Sequence, residues 1–288
     1  MLKAHCTKMG TQQMFSNGAA TLHFYLTQEV QLIDAAMLHQ RHDIQPNETA
    51  KRYQTALFHQ NMQTVGVVTQ EGDFEIFGAE FVPFCSRVFF RKEMPDVYVS
   101  PEELEDDEFV TLSQKVHKTS SLEERVALLD TFFLKRLAEF PEGDVNIERL
   151  NDVFDDIVPT DGTTALPPHS QDEFSPVDLA STACLSQKQF TRVFSKYVGM
   201  NPKSYLRLLR FHKALQMLKS TSAGSGPSFT EIAYDCGYYD SSHMISDFRD
   251  ICGHSPSELA NFGTELTEAF GQQFSGLMKK KIKIENLI

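Results

Sequence analysis

Ten side chains between positions 187 and 249 of this 288-residue chain have the types and the spacing to read nucleic-acid bases. Gln187, Lys188, Thr191, Arg192 and Ser195 recur at helical spacing and share one outward face. Gln can hold adenine through two hydrogen bonds, Lys or Arg can hold guanine, and Ser or Thr can contact either. Phe190, Val193, Phe194 and Tyr197 fall on the inner face of the same run. A second outward set follows: Ser241, Ser242, His243, Ser246 and Arg249. Met244 and Phe248 point inward beneath it.

Each set needs a helix held at a fixed angle to a second one. The stretches DLASTACLSQKQFTRVFSKYVGMNP (178–202) and EIAYDCGYYDSSHMISDFRDICGHSP (231–256) match each other coarsely. Both open with an acid followed by Leu or Ile and Ala. Both have a Cys near a turn (Cys184 and Cys236), a late Phe (Phe194 and Phe248) and Gly-x-x-Pro. Ser186 with Gln189, Ser228 with Glu231 and Ser255 with Glu258 have capping-box spacing, and Asn201-Pro202 reads as an N-cap and first-turn proline. A long helix from about Pro202 to Lys219 joins the copies, after which STSAGSGPS (220–228) reads as a flexible link. Two helix-turn-helix units on one linker helix could enter successive major grooves, about 34 Å apart.

The net charge of −12 excludes a molecule that binds polyanions over its whole surface, so a nucleic-acid role needs a local basic patch. Residues 177–219 supply one, with eight basic residues against Asp178 alone. Residues 228–258 do the opposite, with Arg249 alone against six acids. Glu231, Asp240 and Glu258 have helix-end roles, where the helix dipole favours an anion. Asp235, Asp247 and Asp250 have none that the sequence offers. The first unit is therefore expected to dominate affinity for DNA.

At these residues the chain resembles the AraC/XylS family of bacterial transcription regulators. The resemblance covers 177 to about 262, on LSQKQFTRVFSKYVGMNPKSYLRLLRFHKALQML and EIAYDCGYYDSSHMISDFRDICGHSP. It implies sequence-specific promoter binding in the cytoplasm, activation and contacts to RNA polymerase. Asp250 stands where that family usually has a basic residue, and His243-Met244 where it usually has an aromatic pair. Upstream, GAEFVPF (78–84) and LEERVALLDTFFLKRL (122–137) are similar to the cupin-like domain and helical connector of one branch.

The expected fold is α+β. Residues 1–100 form a β-rich cupin-like or barrel domain for effector binding, dimerisation or both, 101–176 a helical connector, 177–262 the all-α tandem helix-turn-helix domain and 263–288 a basic, then apolar tail. The runs QTVGVVT (63–69) and DFEIFGAEF (73–81) alternate as strands do. Phe74, Phe77, Phe81 and Phe84 could line a barrel mouth for a small-molecule effector, with core packing as the alternative. A helix is expected to open at Pro101 with an acidic first turn. Residues 121–140 follow with an apolar stripe of Leu122, Val126, Leu129, Phe133 and Leu137 behind the Ser121–Glu124 cap, and 145–158 form a shorter helix.

Other chemistry finds little support. Cys6, Cys85, Cys184, Cys236 and Cys252 form no CxxC and read as reduced, mostly buried thiols. His39, His42 and His59 lack partners with metal-ligand spacing, and EDDE (105–108) reads as a solvated helix start. No nucleophile, phosphate-loop or metalloprotease motif appears, so no enzyme, cofactor or metal is expected. No secretory signal or membrane span is evident. Two rival readings remain: a protein-docking module with degenerate DNA binding, and a small-molecule-binding barrel with a helical appendage.

Overall fold

The computed structural model describes residues 2–6, 10–14, 20–34, 51–58, 65–69, 72–90, 98–140, 144–157, 175–220 and 226–261. Backbone proximity divides the chain into two compact units. One comprises Met1–Asp144 with Tyr197–Gly199, the other Val145–Lys196 with Met200–Ile288.

The first unit is built on antiparallel strands. β1 (Leu2–Cys6), β3 (Ala20–Tyr25), β6 (Thr55–Phe58), β8 (Gly72–Phe81) and β9 (Tyr98–Val99) form a sheet ordered β1-β8-β3-β6-β9. β2 (Gly10–Met14), β4 (Val30–Asp34), β5 (Arg52–Tyr53) and β7 (Val65–Thr69) form a second, ordered β2-β7-β4-β5. The chain passes repeatedly between the two sheets, the double-sheet arrangement of jelly rolls and cupins. Tyr25, Ala56 and Ile76 of the first sheet cluster with Val30, Leu32 and Tyr53 of the second, so this apolar layer lies between the sheets.

Strand alternation decides which aromatics face that layer. Leu22, Phe24, Leu57, Phe77 and Phe81 fall on the other face of the first sheet. There they meet helices α1 (Cys85–Phe90), α2 (Asp107–Lys118) and α3 (Leu122–Ala138) through Phe90, Phe109, Leu112, Leu129 and Phe132. Phe77 and Phe81 therefore pack a core under helices and do not line the inter-sheet space. Phe84 is also buried, while the side chain of Phe74 lies outside the described residues. His23 and Tyr25, which alternate with Leu22 and Phe24, take the inter-sheet side with rings 6.0 Å apart. Burial lowers the His23 imidazole to about 4.

Two helices depart from expectation. Residues Pro101–Glu105 form turns, and α2 starts at Asp107, because the Asp106 side chain accepts from Phe109 N and caps it there. On α3 the buried face is Arg125, Leu129, Phe132 and Arg136. Leu122 and Val126 of the expected stripe are exposed. The buried arginines are admitted because they are paired: Arg125 lies 3.7 Å from Glu75, and Arg136 Nη2 donates to Asp106 at 2.7 Å.

The second unit is helical. It contains α4 (Val145–Ile157), α5 (Pro176–Thr182), α6 (Gln187–Val198), α7 (Pro202–Ser220), α8 (Phe229–Asp235), α9 (Ser241–Cys252) and α10 (Pro256–Asn261). α7 carries a helical pair at each end. Near its start Tyr205 meets the Phe194 ring of α6 at 5.6 Å, and Phe154 of α4 stacks on Phe194 at 5.8 Å. Further along, Phe211 meets Phe248 of α9 at 4.7 Å. No helix among the described residues is long and apolar enough to cross a membrane. Most of the 160–176 connector, residues 221–225 of the link, the tail, and His39, His42 and His59 lie outside the described residues.

Candidate nucleic-acid interface

The turns α5–α6 and α8–α9 are closed by the same backbone bonds. Cys184 N donates to Ser181 O at 2.9 Å and Leu185 N to Ala180 O at 2.9 Å. Gly237 N donates to Tyr234 O at 3.0 Å and Tyr238 N to Ala233 O at 2.9 Å. Cys184 thus occupies the place of Gly237, and Cys236 the place of Ala183. Both cysteines thus lie at the turns, one position apart in the repeat. Both turn residues are left-handed, with φ of 52° at Cys184 and 75° at Gly237. Cys184 is also exposed, unlike Cys236 and Cys252, whose thiols burial raises to about 11 and about 12.

The second turn is one residue longer. Leu185 alone precedes the cap Ser186, whereas Tyr238 and Tyr239 both precede the cap Asp240. From the caps onward the pairs match with that shift. Phe190 corresponds to Met244, Phe194 to Phe248, Gly199 to Gly253 and Pro202 to Pro256. Arg192 therefore corresponds to Ser246, Ser195 to Arg249, Val193 to Asp247 and Lys196 to Asp250.

The starts of α6 and α9 are capped as their sequences require. Ser186 N donates to Gln189 Oε1 at 3.1 Å and Gln189 N to Ser186 Oγ at 3.4 Å. His243 N donates to Asp240 Oδ1 at 2.8 Å. Ser204 N donates to Asn201 Oδ1, and Ser228–Glu231 and Ser255–Glu258 form full boxes. Ser175–Asp178 forms another, which the sequence reading overlooked although its spacing is the same. Backbone and side-chain hydrogen bonds from Ser228 and Ser255 hold the Glu231 and Glu258 carboxyls below the usual carboxylate range.

The candidate base-reading residues lie where helical spacing puts them. Gln187, Lys188, Thr191 and Arg192 are exposed on α6, and Ser195 is half-buried. Ser242, His243, Ser246 and Arg249 are exposed on α9, and Ser241 is half-buried. Phe190, Phe194, Met244 and Phe248 are fully buried beneath them.

The acids of the second pair have partners the sequence did not disclose. Arg207 of α7 reaches α9 with both ends of its guanidinium. Its Nε donates to Asp247 Oδ1 and its Nη2 to Asp250 Oδ2, each at 2.6 Å. The Asp247 side chain is only 5% exposed. Burial weakens the Arg207 charge, but the two carboxylates outweigh it and hold its pKa above the ordinary value. One turn further, the Arg210 guanidinium lies over the Tyr238 ring at 5.7 Å. Lys213 Nζ donates to the Asp235 carbonyl at 2.6 Å, near the C-terminal end of α8. Three of the eight cations in residues 177–219 are thus turned onto the second helical pair. Lys188 and Arg192 on the outer face of α6 remain exposed.

Residues 179–261 match a family model described as a helix-turn-helix domain. The HTH-type transcriptional regulator ArgR of Pseudomonas aeruginosa is 33% identical over 84 residues, which cover 29% of this chain and 24% of that protein. The HTH-type transcriptional activator RhaS of an Enterobacter species is 35% identical over 91 residues, covering 32% of this chain and 31% of that protein. The match thus spans about a quarter to a third of the length of these curated relatives. Among solved structures, the DNA-binding domain of AdpA in complex with a target DNA aligns at 23% identity and a TM-score of 0.30, over 41% of this chain and 91% of that one. ToxT from Vibrio cholerae aligns at 12% identity and a TM-score of 0.45, over 90% and 95%.

Proposed function

We propose that this chain, whose residues 179–261 carry a helix-turn-helix domain of the AraC type, is a transcription regulator that binds promoter DNA with both helical pairs. The observation that carries the proposal is the repeat itself. Two turns closed by the same bonds present two capped helices, each with a polar outer face over a fully buried aromatic or Met row. Gln187, Lys188, Thr191, Arg192 and Ser195 read one major groove. Ser241, Ser242, His243, Ser246 and Arg249 read the next. The first pair supplies most of the affinity because its outer face carries Lys188 and Arg192, whereas that of α9 carries Arg249. The first unit supplies regulation, through a small-molecule effector or by pairing two chains, and DNA-bound protein contacts RNA polymerase to activate transcription.

Selection of genomic fragments with the purified protein tests this. Enriched sites with two half-motifs about one helical turn apart support reading by both pairs. A single half-motif would confine reading to the first pair, and no enrichment would remove the function.

A further inference from the structure

We infer that Arg207 is a positioning residue for the second reading helix, setting the distance between the two half-sites the protein accepts. The inference rests on the DNA-reading function proposed above. Arg207 grips two carboxylates on successive turns of α9, Asp247 and Asp250, through different nitrogens of one planar group. A planar fork fixes direction as well as distance, which a single point charge does not. It therefore restrains both the slide and the roll of α9 on α7.

The first pair is held differently at the equivalent point. Val193, half-buried, stands where Asp247 stands, and its side chain can accept no guanidinium. α6 is seated on α7 by rings, with Phe194 against Tyr205. Apolar contacts are non-directional and allow small shifts. Because α7 bears both pairs, clamping α9 to α7 places it in the frame of the first reader.

Arg207 is a cation beside a reading helix, so a direct phosphate contact is the rival account. The full-length protein should be titrated on duplexes carrying the selected site, with the native half-site spacing and with one base pair inserted or deleted. Each such change turns the second half-site by about a tenth of a helical turn. Wild-type protein should prefer the native spacing by about tenfold or more, a difference of about 1.4 kcal/mol. Arg207→Ala should bind the native spacing about tenfold more weakly and lose the preference, with its salt slope unchanged. The double variant Arg207→Leu, Asp247→Val removes the guanidinium and the buried carboxylate of the clamp and leaves only the exposed Asp250. It should regain most of the affinity at native spacing but not the sharp preference.

Retained spacing preference in Arg207→Ala would overturn the inference. So would a salt slope reduced by about one, or a double variant as weak as Arg207→Ala, since either marks a phosphate contact. If wild-type protein binds none of the duplexes, the proposed function itself fails, a result distinct from wild-type binding with an indifferent Arg207→Ala.

Discussion

Cys184 and Gly237 occupy the same position in the two turns and share a left-handed backbone, at φ of 52° and 75°. Only glycine adopts that conformation without a steric penalty. Cys184→Gly should raise the stability of the helical unit by about 0.5 kcal/mol, strain relief outweighing the added freedom of the unfolded chain. Gly237→Ala should lower it by about 1–2 kcal/mol. A Cβ at 237 would meet Arg210 Cδ at an ordinary 3.7 Å, so the loss is backbone strain and not crowding. Urea unfolding of the two variants checks the opposite signs, and a destabilising Cys184→Gly would contradict the equivalence.

Asp240 caps the α9 helix, and its removal bears on the reading face directly. Asp240→Ala should cost about 1 kcal/mol. Asp240→Asn, which keeps an acceptor oxygen, should cost little. Thermal unfolding of both separates the cap from the charge, and equal losses would mean that the hydrogen bond to His243 N does not matter.

The inter-sheet His23 makes the first unit sensitive to acid. Its folded pKa of about 4 lies below the ordinary value of 6.5, so between these pH values the unfolded chain binds more protons. The stability it contributes is complete above pH 6.5 and is lost as pH falls towards 4, by roughly 3 kcal/mol in all. His117, lowered in the same direction by burial, adds to the slope. Denaturant midpoints between pH 7 and pH 4 should decline in the wild type and more gently in His23→Phe. Parallel curves would exclude His23 as the cause.

What the sequence disclosed about this site was local. Ser186, Asn201, Ser228, Asp240 and Ser255 announce their helices because a cap acts on residues two or three positions away. Phe190, Phe194, Met244 and Phe248 announce the inner faces by period alone. Three features resisted. Two cysteines near the two turns do not reveal that the hydrogen bonds pair Cys184 with a glycine, Gly237. The buried face of α3 was misread because Arg125 and Arg136 count as polar until their acid partners are known. Asp247 and Asp250 looked like obstacles to DNA because the guanidinium that engages them lies some forty residues earlier, on α7. Long-range ion pairs leave no periodic trace.

In the proposed function the two reading helices share the electrostatic work unequally. Affinity for the selected site should be measured over a series of salt concentrations for wild type, Arg192→Ala and Arg249→Ala. Arg192→Ala should cause the larger loss and reduce the salt slope by about one. Arg249→Ala should cause a distinctly smaller loss and a smaller change in slope. Equal losses with equal changes in slope would contradict the dominance of the first pair.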